Sequence, residues 1–230
     1  MQAILFDLDG TLIDDSMETF LPPYFTALCK KLSHLVPPEK LIAQLQASTR
    51  AAVMNNDHAL TIADAFAADF FPKIGIPAET LMPLFDDFYA TEYPKLRALV
   101  KPIPLARCVI ERAIERGKRV VIATMPVFPR TAIWQRMEWG GIADLPYALV
   151  TDYETMHASK PHSAYYREIA ARLGIAPTEC LMVGNEIQND IVPAKQIGMK
   201  TFWVTRDTNT EAPADWRGTL QDVHKLLDAV

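Results

Sequence analysis

Apolar residues along this chain are arranged in two ways. Short unbroken runs at residues 3–6, 120–123, 148–150, 181–183 and 202–204 carry strand-forming side chains and do not alternate with polar ones. Strands of that kind are covered on both faces, as parallel strands under helices are. Elsewhere apolar positions recur at spacings of three and four. Val109, Ile110, Ala113 and Ile114 form one such stripe, and Leu220, Val223, Leu226, Leu227 and Val230 another. Strands alternating with helices, joined by parallel crossovers, predict an α/β open sheet.

Between Asp15 and Ala98 that rhythm stops. The segment holds no convincing strand and four predicted helices. Pro22-Pro23, Pro37-Pro38 and Pro77 each suit the first turn of a helix, where a missing N–H costs nothing. Phe20, Tyr24, Leu28, Leu32 and Leu35 share one helical face; Ile62, Phe66, Phe70 and Phe71 share another; Leu81, Met82, Phe85, Phe88 and Tyr89 complete a bundle-like set. Plain helix–helix packing accounts for these aromatics and methionines. The segment is therefore expected to be a helical module inserted after the first strand, with Lys101-Pro102-Ile103-Pro104 as the stiff linker back into the α/β part.

Composition narrows the function classes. Of 230 residues, 50% are hydrophobic and 22% charged, as in a folded domain rather than a disordered chain. Lys plus Arg is 23 and Asp plus Glu 28, a net charge of 23 − 28 = −5 with no basic run. Nucleic acid and anionic membranes are not expected partners. Cys29, Cys108 and Cys180 are widely spaced and include no CxxC pair, which predicts neither a disulfide framework nor a zinc site and suggests a reducing, cytoplasmic setting. No secretory leader and no membrane-spanning run is expected.

The segment Phe6-Asp7-Leu8-Asp9-Gly10-Thr11-Leu12 carries the most chemistry. The first strand delivers Asp7 to its carboxyl end, where α/β sheets bind ligands. Asp9 faces the same side if the backbone is extended. Two carboxylates aimed at one spot repel, which calls for a cation between them or for one carboxyl kept protonated. Other strand ends add polar groups: Thr124 after residues 120–123, Lys160 in Ser159-Lys160-Pro161 with Pro161 placed to start a helix, and the loop from Gly184 through Asn185, Glu186 and Asn189 to Asp190. Each alone reads as a local cap, a solvated charge or a polar loop. Together they line one rim of one sheet.

In that order these motifs resemble the haloacid dehalogenase superfamily of hydrolases over essentially the whole chain, down to Gly198-Met199 after the last motif. The resemblance implies a Rossmann-like parallel-sheet core with helices on both faces, formed by residues 1–14 and 99–230, and an inserted α-helical cap at 15–98. Members with both aspartates of the first motif are mostly magnesium-dependent phosphatases, with a minority of phosphomutases; the namesake dehalogenases lack the second, so Asp9 counts against dehalogenation. The resemblance also implies roles. Asp7 is the nucleophile that forms an aspartyl-phosphate, and Asp9 is the general acid and base. Mg²⁺ is bound by Asp7, the Asp9 carbonyl and Asn185. Thr124 and the Met125 backbone hold the phosphoryl group, Lys160 neutralises charge, and Asp190 or Glu186 supports from behind.

Two positions depart from the family pattern. Asn185 stands where an Asp is usual, and Met125 where an Asn contacts phosphate; a thioether cannot donate a hydrogen bond. They are the grounds for one rival, a catalytically weak relative that binds a phosphorylated ligand. A phosphomutase is a second. A receiver domain is excluded by length, and a dinucleotide-binding dehydrogenase by the missing GxGxxG. The expected partner is a small phosphorylated substrate, and the expected state a monomer or homodimer. In the cap, Arg50, Asn55, Asn56, Asp57 and His58 are either cleft-lining or a solvated loop; His157 and His162, flanking Lys160, are expected at the surface.

Overall fold

The computed structural model describes residues 1–14 and 16–229. In chain order it runs β1 (Ala3–Phe6), β2 (Ile13–Asp14), α1 (Met17–Leu32), α2 (Pro38–Val53), α3 (Ile62–Ile74), α4 (Ala78–Thr91), a 3₁₀ helix (Tyr93–Leu99) and β3 (Lys101–Pro102). Then follow α5 (Ala106–Glu115), β4 (Arg119–Ile122), α6 (Arg130–Trp139), β5 (Leu149–Val150), α7 (Ser163–Leu173), β6 (Cys180–Gly184), α8 (Val192–Gln196), β7 (Lys200–Val204), β8 (Trp216–Gly218) and α9 (Leu220–Ala229). Six strands form a wholly parallel sheet in the order β5-β4-β1-β6-β7-β8. This is the α/β, Rossmann-like core expected from the unbroken apolar runs.

β1 shows why those runs do not alternate. Ile4 and Phe6 pack into a core with Val109, Ile110, Val223 and Leu227 of α5 and α9. Ala3 and Leu5 pack on the other face with Tyr165, Tyr166, Ile169 and Ala194 of α7 and α8. Both faces are covered, so every position of the strand is apolar.

The helices α1 to α4 leave and rejoin this core through a two-stranded antiparallel ribbon, in which Ile13 pairs with Pro102 and Asp14 with Lys101. Lys101-Pro102 is thus one strand of a paired ribbon rather than a free linker. Phe20, Tyr24, Leu28 and Leu32 of α1 are buried, and so are Phe70, Leu81 and Phe88, in the same continuous apolar cluster as the α5–α9 face of the sheet. Each such side chain contributes roughly 1.5–3 kcal/mol when fully buried.

Several local expectations are corrected. Pro22 and Pro23 lie inside α1, not at its start. Ser16 caps the helix earlier, accepting from the Thr19 N–H at 3.3 Å. The carbonyls of Glu18 and Thr19, left without donors by the prolines, belong to exposed residues, and the buried face offsets a cost of about 3 kcal/mol. Leu35, beyond the end of α1, is 37% exposed and Met82 is 40% exposed, so neither belongs to the bundle core. α7 begins at Ser163 after His162, two residues beyond Pro161. The edge strand β8, short and without a sheet-like pattern, was not expected. Val230, assigned to the last helical stripe, and Asp15, at the start of the insert, lie outside the described residues. Among the described residues no helix is long and apolar enough to cross a membrane.

Candidate active site

Register brings the motifs together. Phe6 pairs with Ile122 on β4 and with Val183 on β6, and the ladder continues as the Asp7 N–H donates to Val183 O at 2.9 Å. Asp7, Thr124 and Asn185 therefore leave three adjacent strands at the same carboxyl edge, at the centre of the sheet.

Asp7 is 7% exposed and Lys160 2% exposed. The Lys160 ammonium donates to Asp7 Oδ1 at 2.6 Å and to Asp190 Oδ1 at 2.7 Å. Lys160 is thus a buried bridge between two carboxylates and not a solvated charge. Burial alone would lower its pKa, but Asp190 and Asp7 outweigh it and hold the ammonium well above its ordinary value. Burial pushes the Asp190 carboxyl up to about 7, with the Asp7 charge adding and Lys160 opposing. Asp190 also accepts from the Glu186 N–H at 2.9 Å. The Glu186 side chain itself is exposed and accepts from Asn189. Two tyrosines of α7 brace the rim: Tyr165 donates to Thr124 O at 2.7 Å and Tyr166 to Asn189 O at 2.6 Å.

Two glycines are required by close approach. A Cβ on Gly184 would lie 2.2 Å from Asp190 Oδ2. Gly10 has φ +73° and a Cβ there would meet the Asn185 amide at 2.5 Å. This turn delivers Thr11, a buried hydroxyl 3.1 Å from Asp7 Oδ2 and 3.0 Å from the Asn185 amide.

Asn185 decides how a cation fits. The amide atom that faces the site lies 3.2 Å from Asp7 Oδ2 and 3.2 Å from the Asp9 main-chain oxygen. With oxygen in that place, the amide adds a third hard oxygen beside the other two, a donor set suited to Mg²⁺. With nitrogen there, the amide donates to both and satisfies the same two oxygens itself. In the oxygen-inward orientation the residues fit the metal. Among the described residues no cluster of three or more His, Cys, Asp or Glu side chains offers a different metal site.

Asp9 is matched by a cation that the sequence did not reveal. Arg136 of α6 is 1% exposed and donates from Nη2 to Asp9 Oδ1. The other carboxylate oxygen, Oδ2, is 3.5 Å from Thr124 Oγ1. The two aspartates therefore do not share one counter-ion: Lys160 serves Asp7 and Arg136 serves Asp9. In the insert, Arg50, Asp57 and His58 are exposed and Asn55 and Asp57 bond within their own loop. His58 Nδ1 is 3.5 Å from His157 O, so the loop touches the core beside the Lys160 segment. His157 is occupied by Glu168 at 2.9 Å.

The haloacid dehalogenase-like hydrolase family model matches residues 1–198. The chain belongs to that family. It is an enzyme of the hydrolase class. A glyceraldehyde 3-phosphate phosphatase of Pyrococcus abyssi is 32% identical over 109 residues, 46% of this chain and 43% of the relative, so the match spans less than half of that protein. A phosphoglycolate phosphatase of Rhodospirillum rubrum is 29% identical over 200 residues, 86% of this chain and 77% of the relative. A 2-haloacid dehalogenase of Pseudomonas syringae superposes with a TM-score of 0.67 at 18% identity, covering 100% of this chain and 99% of that one. At that identity the likeness speaks for the shared fold.

Proposed function

We propose that this hydrolase is a Mg²⁺-dependent phosphatase that cleaves a small phosphorylated metabolite through an aspartyl-phosphate on Asp7. The observation that carries the reading is the pair of aspartates at the end of β1, with Asp7 bonded to a buried Lys160 at 2.6 Å and Asp9 beside Thr124. The names of the two phosphatase relatives support a phosphate monoester of a small organic molecule as substrate.

The Asp7 carboxylate attacks phosphorus, forming a P–O bond as the bond to the leaving oxygen breaks. Asp9 gives that oxygen its proton. Water then attacks phosphorus, Asp9 takes its proton, and the bond to Asp7 breaks. Lys160, kept charged, offsets the negative charge gathered by Asp7 and the phosphoryl oxygens, and Asp190 holds it there. The Thr124 hydroxyl and the Met125 N–H donate to the phosphoryl group. Asp7 Oδ2, the Asp9 carbonyl and Asn185 would hold Mg²⁺, which when bound offsets the repulsion between Asp7 and the incoming phosphate. The insert at 15–98 acts as a cap over the core formed by 1–14 and 99–230.

A panel of phosphorylated metabolites assayed with Mg²⁺ tests the reading. Turnover of several, with mass spectrometry of acid-quenched protein showing an added phosphoryl group on Asp7, is the expected result. Asp7→Asn should lower turnover by at least about a thousandfold, as loss of an essential nucleophile does. Silence across the panel, with phosphorylated ligands still bound, would replace the phosphatase with a ligand-binding protein.

A further inference from the structure

Among the described residues Arg136 is the largest fully buried side chain, and a guanidinium is costly to bury without compensation. It lies on α6, a helix whose other basic residue, Arg130, is exposed. Its Cζ lies over the ring of Phe20, which belongs to the helical insert, at 4.6 Å from the ring centre, and over that of Phe128 at 5.8 Å. Within this aromatic enclosure Nη2 donates to Asp9 Oδ1.

A guanidinium has donors and no acceptor. The Asp9 oxygen it holds must therefore stay an acceptor in every protonation state of the carboxyl group. The proton that Asp9 transfers can then reside only on Oδ2, the oxygen 3.5 Å from Thr124 Oγ1 and so beside the phosphoryl position. A proton on Oδ1 would instead face the guanidinium N–H, donor against donor. The guanidinium keeps its place on Oδ1 because it is buried and lies over the Phe20 ring.

We propose that Arg136 is the positioning residue for acid–base catalysis. By holding Asp9 Oδ1 it aims Oδ2 at the leaving oxygen, and the seating of Phe20 on the guanidinium ties this alignment to the insert. The inference rests on the phosphatase reading above. It assigns Arg136 a role that runs through Asp9 and not through phosphate.

The test compares kcat/KM for two esters on the same protein preparations: an alkyl phosphate, whose leaving oxygen needs a proton, and p-nitrophenyl phosphate, whose leaving group departs as the anion. The ratio of the two is independent of how much of a variant is folded. Arg136→Gln should lose roughly 100-fold on the alkyl ester, the low end of what general acid catalysis contributes, and less than about fivefold on the aryl ester. Asp9→Asn should show the same selectivity, and Arg136→Gln added to Asp9→Asn should cost the alkyl ester no more than about twofold further, since residues acting as one unit are not additive. Phe20→Leu should shift the ratio in the same direction by a smaller factor. Equal losses on both esters, or losses that multiply with Asp9→Asn, would overturn the assignment. If Arg136→Gln does not fold, Arg136→Lys carries the comparison: an ammonium on a flexible stem lacks the rigid planar group that lies over Phe20, so a shift of roughly tenfold in the ratio is expected, and an unchanged ratio overturns the role. Wild-type protein that cleaves neither ester would overturn the phosphatase reading itself, whereas wild-type turnover with parallel losses overturns only the role of Arg136.

Discussion

A missing side chain at Gly184 lets Asp190 close on the end of β6 and reach Lys160. Gly184→Ala would drive a Cβ into the Asp190 carboxylate, 2.2 Å away. Overpacking of this kind costs about 1–3 kcal/mol, and the displaced Asp190 should release Lys160. Denaturant unfolding and turnover should both fall; a variant normal in each would mean that Asp190 has room to retreat. Asn185 carries a second prediction. Exchanging its amide for a carboxylate adds charge to the oxygen set and removes the donor that can stand in for a cation. Asn185→Asp should lower the Mg²⁺ concentration for half-saturation about tenfold, the low end of what tuning a ligand shell achieves. Trp203 provides a readout other than activity, because its Nε1 donates to Asn185 O at 2.9 Å. Its fluorescence should follow the metal titration, with Trp203→Phe as the silent control. Identical half-saturation in both proteins would remove Asn185 from the ligand set. At this scale Asp7 and Thr124 were legible because each directly follows an apolar strand, whereas Asp9, Lys160 and Asp190 were legible only through the order of the motifs. Arg136 was not, since its segment of α6 mixes charged and apolar residues with no sign of which face is buried.

At the scale of elements, helix ends couple the fold to pH. Thr61 and Asp64 form a reciprocal cap at the start of α3. Asp222 plays the matching part in α9, accepting from the Thr219 N–H at 3.0 Å and from its hydroxyl at 2.9 Å. The Thr61 hydroxyl holds the Asp64 carboxyl below its usual range, and the Thr219 N–H lowers that of Asp222 to about 2. A depressed folded pKa means stability that is present above the unfolded value, about 3.9, and lost as pH falls through the folded one. The melting temperature should therefore drop between about pH 4 and pH 2. Asp222→Asn should be less stable than wild type at neutral pH, with the gap shrinking to a small fraction as pH falls to about 2; a gap that persists unchanged at pH 2 would refute the charge-based cap. The start of α1 illustrates what local signals miss. The Pro22-Pro23 pair suggested a helix beginning there, yet Ser16 supplied the cap and the buried row from Phe20 to Leu32 carried the helix through both prolines.

Across the whole molecule, the apolar cluster is continuous from α5 and α9 through the sheet face into α1, α3 and α4. The insert is therefore seated on the core. Two main-chain bonds fasten it, from Ile62 N to Met156 O and from Ala63 N to Tyr153 O, each 2.8 Å, and Gln135 of α6 donates to Tyr89 O at 2.9 Å. If the insert opens as one body about the β2–β3 ribbon to admit substrate, these seams break while the helices persist. The Ile62 and Ala63 amides should then exchange hydrogen faster than amides in the middle of α3, and a bound phosphate analogue should slow them selectively. Uniform protection along α3, unaltered by the analogue, would mean a fixed insert.

The order of apolar runs determined an α/β sheet with a helical insertion, because a strand covered on both faces and a helix with one buried stripe write different periods into the chain. The residues after the runs at 3–6, 120–123 and 181–183 then marked the candidate functional rim, since parallel strands end on the same edge. Tertiary structure alone decided which cation serves which carboxylate. Lys160 and Asp7 are far apart in the chain, as are Arg136 and Asp9, and each pair is made by strand register and helix packing. Burial decided the rest: it turned an apparently solvated lysine into a bridge and a mid-helix arginine into a partner of Asp9. A buried charge must find its counter-charge in space, and no local pattern encodes where that partner lies.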